Sequence, residues 1–277
     1  MGDERTLEEQ VRWHLDDGVA WLTIDAPERG NALTMAMRDR LTELFQQASD
    51  RLDVRAVVLT ATGERHFCTG AALGGPRPEA PPRPADAPER TMGDAARLIR
   101  QGWQRLVCSV LDCEKPVVAA VNGTAAGGGA NLVLACDLVV MAEHARLIEV
   151  FVRRGIMPDA GGAYLLPRMV GLHRAKELMF LGDDLSAADA ERMGVANRVV
   201  PADALRAEAA ALAARLAAGP TRAIAMTKWL LNRSFESDRR TALDEEAFAQ
   251  ELVNGTADAA EGMAAFAERR DPRFRGW

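Results

Sequence analysis

The chain has 277 residues, 48% of them hydrophobic and 27% charged, with a formal net charge of -6. That composition fits a globular protein with a sizeable buried core. A mildly acidic chain without a long basic run argues against nucleic acid as a partner, because clustered positive charge supplies most of that affinity. The polar opening Met1-Gly2-Asp3-Glu4-Arg5 predicts no secretory signal. The apolar stretch from Leu132 to Ala142 is interrupted by Asp137, so no membrane span is expected. Cys68, Cys108, Cys113 and Cys136 form no Cys-x-x-Cys pair and read as small core residues in a reducing, cytoplasmic setting. His14, His66, His144 and His173 are scattered, and no metal site is predicted.

In chain order, the first pattern is alternation. Val11, Trp13 and Leu15 precede Asp16-Asp17-Gly18, and Val19, Trp21, Thr23 and Asp25 follow, which predicts a hairpin turning at Asp-Asp-Gly. Met37, Leu41, Leu44, Phe45 and Ala48 recur at helical spacing behind Thr34, a suitable N-cap. Short apolar runs at Ala56 to Thr60, Pro116 to Val121 and Asp137 to Met141 read as buried strands with helices between them, an α/β architecture. Val-Val cores recur at 57, 117, 139 and 199 without a strict repeat. The Gly- and Pro-rich stretch from Gly74 to Pro88 reads either as a surface insertion or as a lid over a substrate tail. Met92, Ile99 and Trp103 line that tail pocket or belong to the core. From about residue 202 the chain becomes Ala-rich and helical. Leu205, Ala209, Leu212 and Leu216 form one stripe, Ile224, Trp229 and Leu230 belong to another, and Phe248, Leu252, Met263 and Phe266 follow. A subunit interface and a satellite core are both open readings of these positions.

Two glycine-containing stretches carry the chemistry. Val121-Asn122-Gly123-Thr124-Ala125-Ala126-Gly127-Gly128-Gly129-Ala130-Asn131-Leu132 reads as a strand end, a glycine triplet and a helix start. There a ligand can approach backbone N–H groups that lack partners. Phe67-Cys68-Thr69-Gly70-Ala71-Ala72-Leu73 is similarly small and accessible. One N–H from each loop could clamp a single oxygen, as an oxyanion hole requires.

Taken in order, these motifs resemble those of the enoyl-CoA hydratase/isomerase (crotonase) family across nearly the whole chain. Pro27-Glu28-Arg29-Gly30-Asn31-Ala32-Leu33 is similar to its early Asn-Ala-Leu motif, and Phe67 to Leu73 to its first oxyanion loop. Lys115 to Leu132 with Cys136-Asp137 is similar to its second oxyanion loop. Gly155 to Gly162 with Leu166-Pro167-Arg168 resembles the next active-site turn, and Ala265 to Arg270 with Pro272-Arg273-Phe274 the family's ending. The resemblance implies a spiral of β-β-α units over residues 1–200, which holds the oxyanion hole and the CoA site. It implies a helical trimerisation region over 201–277, and homotrimers or dimers of trimers. It implies an acyl-CoA thioester as substrate, with coenzyme A part of that substrate and no prosthetic group. The amides of Ala71 and Gly128 are then expected to hold the thioester oxygen, each worth roughly 3–4 kcal/mol of barrier. Arg29, Ala32 and Leu73 form the expected CoA-binding set, with Arg29 alternatively a solvated surface charge. Arg269 and Arg270 could reach the nucleotide from a neighbouring subunit, although surface charge is the simpler reading.

The sequence departs from the family where hydratases carry two water-activating glutamates. Those positions fall at Asn131 and Phe151. An amide can hydrogen-bond water but cannot take its proton, and a phenyl ring can do neither. Asp159, in Pro158-Asp159-Ala160-Gly161-Gly162, is the leading acid/base, since a single carboxylate suffices to move a double bond. Its alternative role is a helix N-cap. Glu149 is the second candidate acid, expected to share a strand face with Phe151, or else a surface or salt-bridged residue. Asn131 is expected to orient a thioester or water. The leading expectation is an acyl-CoA isomerase of double bonds or ring epoxides. An enoyl-CoA hydratase with a modified acid/base set, a non-catalytic acyl-CoA binder and a CoA-ester hydrolase or dehalogenase are the alternatives.

Overall fold

The computed structural model describes residues 5–72, 84–88 and 92–277. Leu73 and most of the Gly/Pro-rich stretch lie outside these residues. After a short helix α1 (Leu7–Gln10), β1 (Val11–Asp16) and β2 (Val19–Ile24) form the expected hairpin. Asp17 and Gly18, at φ 42° and 77°, give the left-handed turn that matches strand twist. Helix α2 (Met35–Asp50) starts where Thr34 accepts the Met37 N–H at 3.2 Å. It buries Met37, Leu41, Leu44, Phe45 and Ala48, the positions spaced for one face.

The remaining strands are β3 (Ala56–Ala61), β4 (His66–Cys68), β5 (Val117–Val121), β6 (Thr124–Ala126), β7 (Leu138–Ala142), β8 (Arg146–Ile148), β9 (Asp184–Ser186) and β10 (Arg198–Val200). They divide into a six-stranded sheet, β1-β2-β3-β5-β7-β10, and a four-stranded sheet, β4-β6-β8-β9. Strand number rises steadily across both sheets. The pairs β3/β4, β5/β6 and β7/β8 each lay their first strand in the large sheet and their second in the small one, and the expected spiral follows. The four Val-Val runs lie on β3, β5, β7 and β10, which are parallel neighbours, with Val57 opposite Val117 and Ala120 opposite Val140. Residues of β5 are buried throughout, as a parallel strand covered on both faces should be.

The helices are α3 (Asp94–Ile99), α4 (Arg105–Leu111), α5 (Gly128–Leu134), α6 (Gly162–Val170), α7 (Leu172–Leu181), α8 (Ala187–Arg192), α9 (Leu205–Ala217), α10 (Thr221–Arg233), α11 (Arg239–Asn254) and α12 (Ala257–Glu268). A π-helical turn, Arg100–Gln104, joins α3 to α4. Cys68, Cys113 and Cys136 are buried, but Cys108 is exposed. It falls on the outer side of α4, whose buried positions are Leu106, Val107 and Val110. Helix α9 crosses β3, β5 and β7 and buries Leu205, Ala209, Leu212 and Ala213. On α11 and α12, by contrast, Phe248, Leu252, Met263 and Phe266 are 69–84% exposed, so within one chain they form no satellite core. No helix among the described residues is long and apolar enough to cross a membrane.

A buried ion pair ties α10 to the core. The Lys228 ammonium donates to Asp137 Oδ2 and the Val110 carbonyl, each at 2.8 Å, and to the Lys115 carbonyl at 3.3 Å. Asp137 Oδ2 also accepts the Val117 N–H at 2.7 Å, so the carboxylate holds the first residue of β5. Removing one partner strands the other charge in the interior. Lys228→Met is expected to cost about 3–5 kcal/mol in urea unfolding, and an unchanged midpoint would show the pair to be dispensable.

Candidate functional site

The site lies where the loops after β4 and β6 meet. These two strands are parallel neighbours in the small sheet, with His66 opposite Thr124 and Cys68 opposite Ala125, so the chain leaves both at the same edge. Contact there is close. A Cβ on Gly129 would lie 2.0 Å from the Cys68 carbonyl oxygen, and one on Gly70 would lie 3.5 Å from the Gly128 nitrogen. Gly70 also sits at φ 93°, a region that side chains disfavour.

The same geometry frees two amides. Leu33 forms a parallel bridge with Ala71 by donating to the Gly70 carbonyl (2.8 Å) and accepting from the Ala72 N–H (2.9 Å). Such a bridge turns the N–H of Ala71 itself away from Leu33. Gly128 opens α5, so its N–H has no carbonyl of the helix to meet. Neither amide has a hydrogen-bond acceptor among the described residues. The structure thus brings the loops of Ala71 and Gly128 together.

Asn31 holds the first loop in place. It is fully buried at φ 55°, a left-handed conformation that asparagine tolerates. Its side chain accepts the Ala26 N–H at 2.8 Å and donates to the His66 and Thr62 carbonyls at 2.7 and 3.0 Å. Ala32 is buried beside it. Arg29 is half-buried, donating to Gln10 Oε1 at 2.8 Å and touching Met37 Sδ at 3.3 Å. Arg270 pairs with Glu261 and Glu268, each at 2.6 Å. Leu73 lies outside the described residues.

Aromatic rings flank the glycines. The Trp103 ring lies over Gly128, with three ring atoms 2.8–2.9 Å from the position of a Cβ there. Trp103 comes from the π-helical turn, where Gly102 leaves helical geometry at φ -102° and ψ -106°. Phe151 is 7% exposed and packs its ring against Gly127. Of the three residues expected along the tail pocket, Trp103 therefore touches the site, whereas Met92 is fully exposed and Ile99 is half-buried on α3.

Asp159 lies half-buried in the turn before α6. It is not an N-cap: α6 is capped by Gly161, with no side chain accepting a bond. The carboxyl is pushed up from its ordinary value, chiefly by burial. Asn131 is fully buried on α5. Its Nδ2 donates to the Asp159 main-chain carbonyl at 2.7 Å, while its Oδ1 has no partner among the described residues.

Glu149 and Phe151 do not share a strand face. Strand β8 ends at Ile148 and Val150–Arg154 form a 3-10 turn, whose three-residue period takes the two side chains to different sides. Glu149 is only 5% exposed, and its Oε2 has no partner, which also removes the salt-bridged surface reading. The carboxyl borders a cavity of about 10 Å3 lined by Leu134, Leu147, Leu166, Leu178 and Leu185, with a second acid, Asp183, at its wall. Burial, with a smaller push from the Asp159 charge, raises it to about 7. Burial alone disfavours the charged form this way. Asp159, the more exposed of the pair, ionises first, and a neutral Glu149 exerts no charge on it. Sequence patterning could not show this, because the leucines around Glu149 come from five different elements.

A carboxyl whose folded-state value exceeds its unfolded one binds more protons when folded. Glu149 therefore contributes fully below its ordinary value of 4.5 and loses that contribution as pH climbs through about 7. At ~1.4 kcal/mol per pH unit the loss is up to about 3 kcal/mol. Glu149→Gln is expected to remove this decline, gaining on the parent protein in urea stability between about pH 5 and about pH 8. Parallel curves for the two proteins would contradict the assignment.

Residues 14–276 match the family described as Enoyl-CoA hydratase/isomerase. The chain is 38% identical over 266 residues to a probable enoyl-CoA hydratase of Rhodobacter capsulatus, covering 96% of this chain and 98% of that protein. It is 36% identical over 263 residues to the 1,2-epoxyphenylacetyl-CoA isomerase of Escherichia coli K12, covering 95% and 97%. A crystal structure of a putative enoyl-CoA hydratase from Streptomyces coelicolor A3(2) superposes with a TM-score of 0.85 at 36% identity, covering 100% of this chain and 98% of that one. A chain with this spiral, these paired glycine loops and these relatives belongs to the enoyl-CoA hydratase/isomerase family, whose members act on coenzyme A thioesters.

Proposed function

We propose that the protein is an acyl-CoA isomerase that moves a double bond, or opens a ring epoxide, through an enolate, with Asp159 as the acid/base. The observation that carries this reading is the distribution of acids around the two loops. The positions where the resemblance implies water-activating glutamates hold Asn131, whose amide is committed to the Asp159 carbonyl, and Phe151, whose ring packs on Gly127. Asp159 remains, half-buried and raised, in the turn that Asn131 ties to α5.

For a 3-enoyl thioester, the Asp159 carboxylate removes a proton from the α-carbon. The electron pair passes to the carbonyl oxygen, and the N–H groups of Ala71 and Gly128 hold the resulting dienolate. The same carboxyl returns the proton at the γ-carbon, and the double bond moves next to the carbonyl. No water enters. Trp103 sets a flat face over Gly128, with the Phe151 ring beside Gly127, which suits a planar unsaturated or cyclic acyl group. The name of the Escherichia coli relative agrees with a ring-bearing substrate. Hydration through Glu149 is the second reading, motivated by a value near neutrality, where a general base works well. Its cavity among leucines holds at most about one water.

Purified protein incubated with a 3-enoyl-CoA is expected to give the 2-enoyl isomer, with no 3-hydroxyacyl product. Asp159→Asn is expected to lower that rate by about 100-fold or more. A variant as fast as the parent, or water addition that depends on Glu149, would overturn the assignment.

We further propose that the exposed apolar row of Phe248, Leu252, Met263 and Phe266 is covered by other copies of the chain, in a trimer or dimer of trimers. Patches of this kind on a soluble chain mark interaction surfaces. Sedimentation is expected to give three or six times the 30.0 kDa chain mass, and a monomer would contradict it.

A further inference from the structure

We infer that Asn131 is a positioning residue for the reaction: its side-chain amide holds the Asp159 carbonyl and so fixes the approach of the Asp159 carboxyl to the acyl group. This rests on the reading of Asp159 as the acid/base. Asn131 has no exposed surface, and its Nδ2 lies 2.7 Å from the Asp159 carbonyl oxygen. The Gly162 N–H reaches the same oxygen at 3.2 Å, so both lone pairs of that carbonyl are engaged. The turn between them does not hold itself. Ala160 and Gly161 sit at φ 53° and 83°, and for alanine that left-handed conformation persists only where the surroundings enforce it.

The amide is clamped in turn. A Cβ on Gly162 would fall 2.4 Å from Asn131 Oδ1, so only glycine fits beside it. Oδ1 itself has no partner. A leucine of the same branched outline would avoid burying that unsatisfied oxygen, so what asparagine supplies here is the N–H donor. Asn131 also lies one helical turn beyond Gly128 on α5. The amide proposed to grip the thioester oxygen and the amide that grips the base are therefore on one rigid segment. Their spacing sets the distance from oxygen to base, and catalysis is steep in such distances.

Asn131→Asp is the sharpest probe, because it keeps the shape and makes the donor depend on protonation. Ionised, the new carboxylate faces a carbonyl oxygen and repels it. Protonated, it can donate as the amide does. The titratable groups near it are Asp159 in the turn, with Glu149 and Asp183 beyond Ala130, while α4 and α6 present Val107 and Gly162 to the turn. The neighbouring carboxyls favour the protonated form at position 131. Expressing the rate relative to the parent at each pH removes the titrations the two proteins share, and what remains is the charge at position 131 with its coupling to those carboxyls.

The test measures kcat and KM of the full chain with a 3-enoyl-CoA from about pH 5.5 to about pH 9, with unfolding midpoints alongside. Asn131→Ala is expected to lose about tenfold or more in kcat with KM within about twofold, since Gly128 is untouched. The kcat of Asn131→Asp relative to the parent is expected to rise about tenfold or more from the alkaline to the acidic end. A flat ratio overturns the inference, as does an Asn131→Ala variant with parental kcat. If Asn131→Ala does not fold, the ratio alone decides. An Asp159→Asn variant of parental rate removes the acid/base reading itself. An inactive Asp159→Asn variant together with a flat ratio removes only the role of Asn131.

Discussion

The molecule depends on one close approach, that of the chain after β4 to the chain after β6. Only hydrogen at Gly129 Cα leaves room for the Cys68 carbonyl, 2.0 Å from where a Cβ would stand. The spiral makes this contact possible by setting β4 and β6 side by side and parallel in the small sheet. The Leu33–Ala71 bridge and the start of α5 then leave an N–H free on each loop. Two amides fixed in this way need no reorganisation when a nearby oxygen becomes negative, which is why such sites stabilise enolates strongly.

Around this point the protein separates its charges. The Lys228–Asp137 pair secures the start of β5, and with it the strand that leads into β6 and the glycine triplet. In the segments after β8, the carboxyls of Asp159 and Glu149 are both raised by burial. Glu149 is the deeper and keeps its proton to about neutrality. Asp159 is left as the carboxylate able to exchange a proton with a ligand. One acid in contact with solvent and one enclosed among leucines and Asp183 is the arrangement on which the proposed transfer of a proton between carbons rests.

Local patterns in the sequence were sufficient for the regular elements. Alternation about Asp17-Gly18 predicts the hairpin, Thr34 the start of α2, and three Val-rich runs the strands β3, β5 and β7; β10 at Val199 is not among them. The small sheet was harder to see, because its strands have three residues each, too few to show a period. The glycine loops were legible because their composition has few other uses. The partners of polar side chains were not. Asn131 meets the carbonyl of a residue 28 positions away, and Lys228 meets Asp137 across 91. The alternative reading of Asp159 as an N-cap fails because α6 starts behind Gly161. Glu149 and Phe151 were placed on one face by extending β8 beyond Ile148, where the chain turns into a 3-10 segment instead. The role of Trp103 depended on a π-helical turn that helical spacing does not announce.

The most direct test is a crystal structure with an unreactive saturated acyl-CoA bound. The account predicts the thioester oxygen within hydrogen-bond distance of the Ala71 and Gly128 nitrogens together, with an Asp159 carboxyl oxygen against the α-carbon. A thioester whose oxygen meets neither amide, or whose α-carbon faces Glu149 with Asp159 turned to solvent, would contradict it.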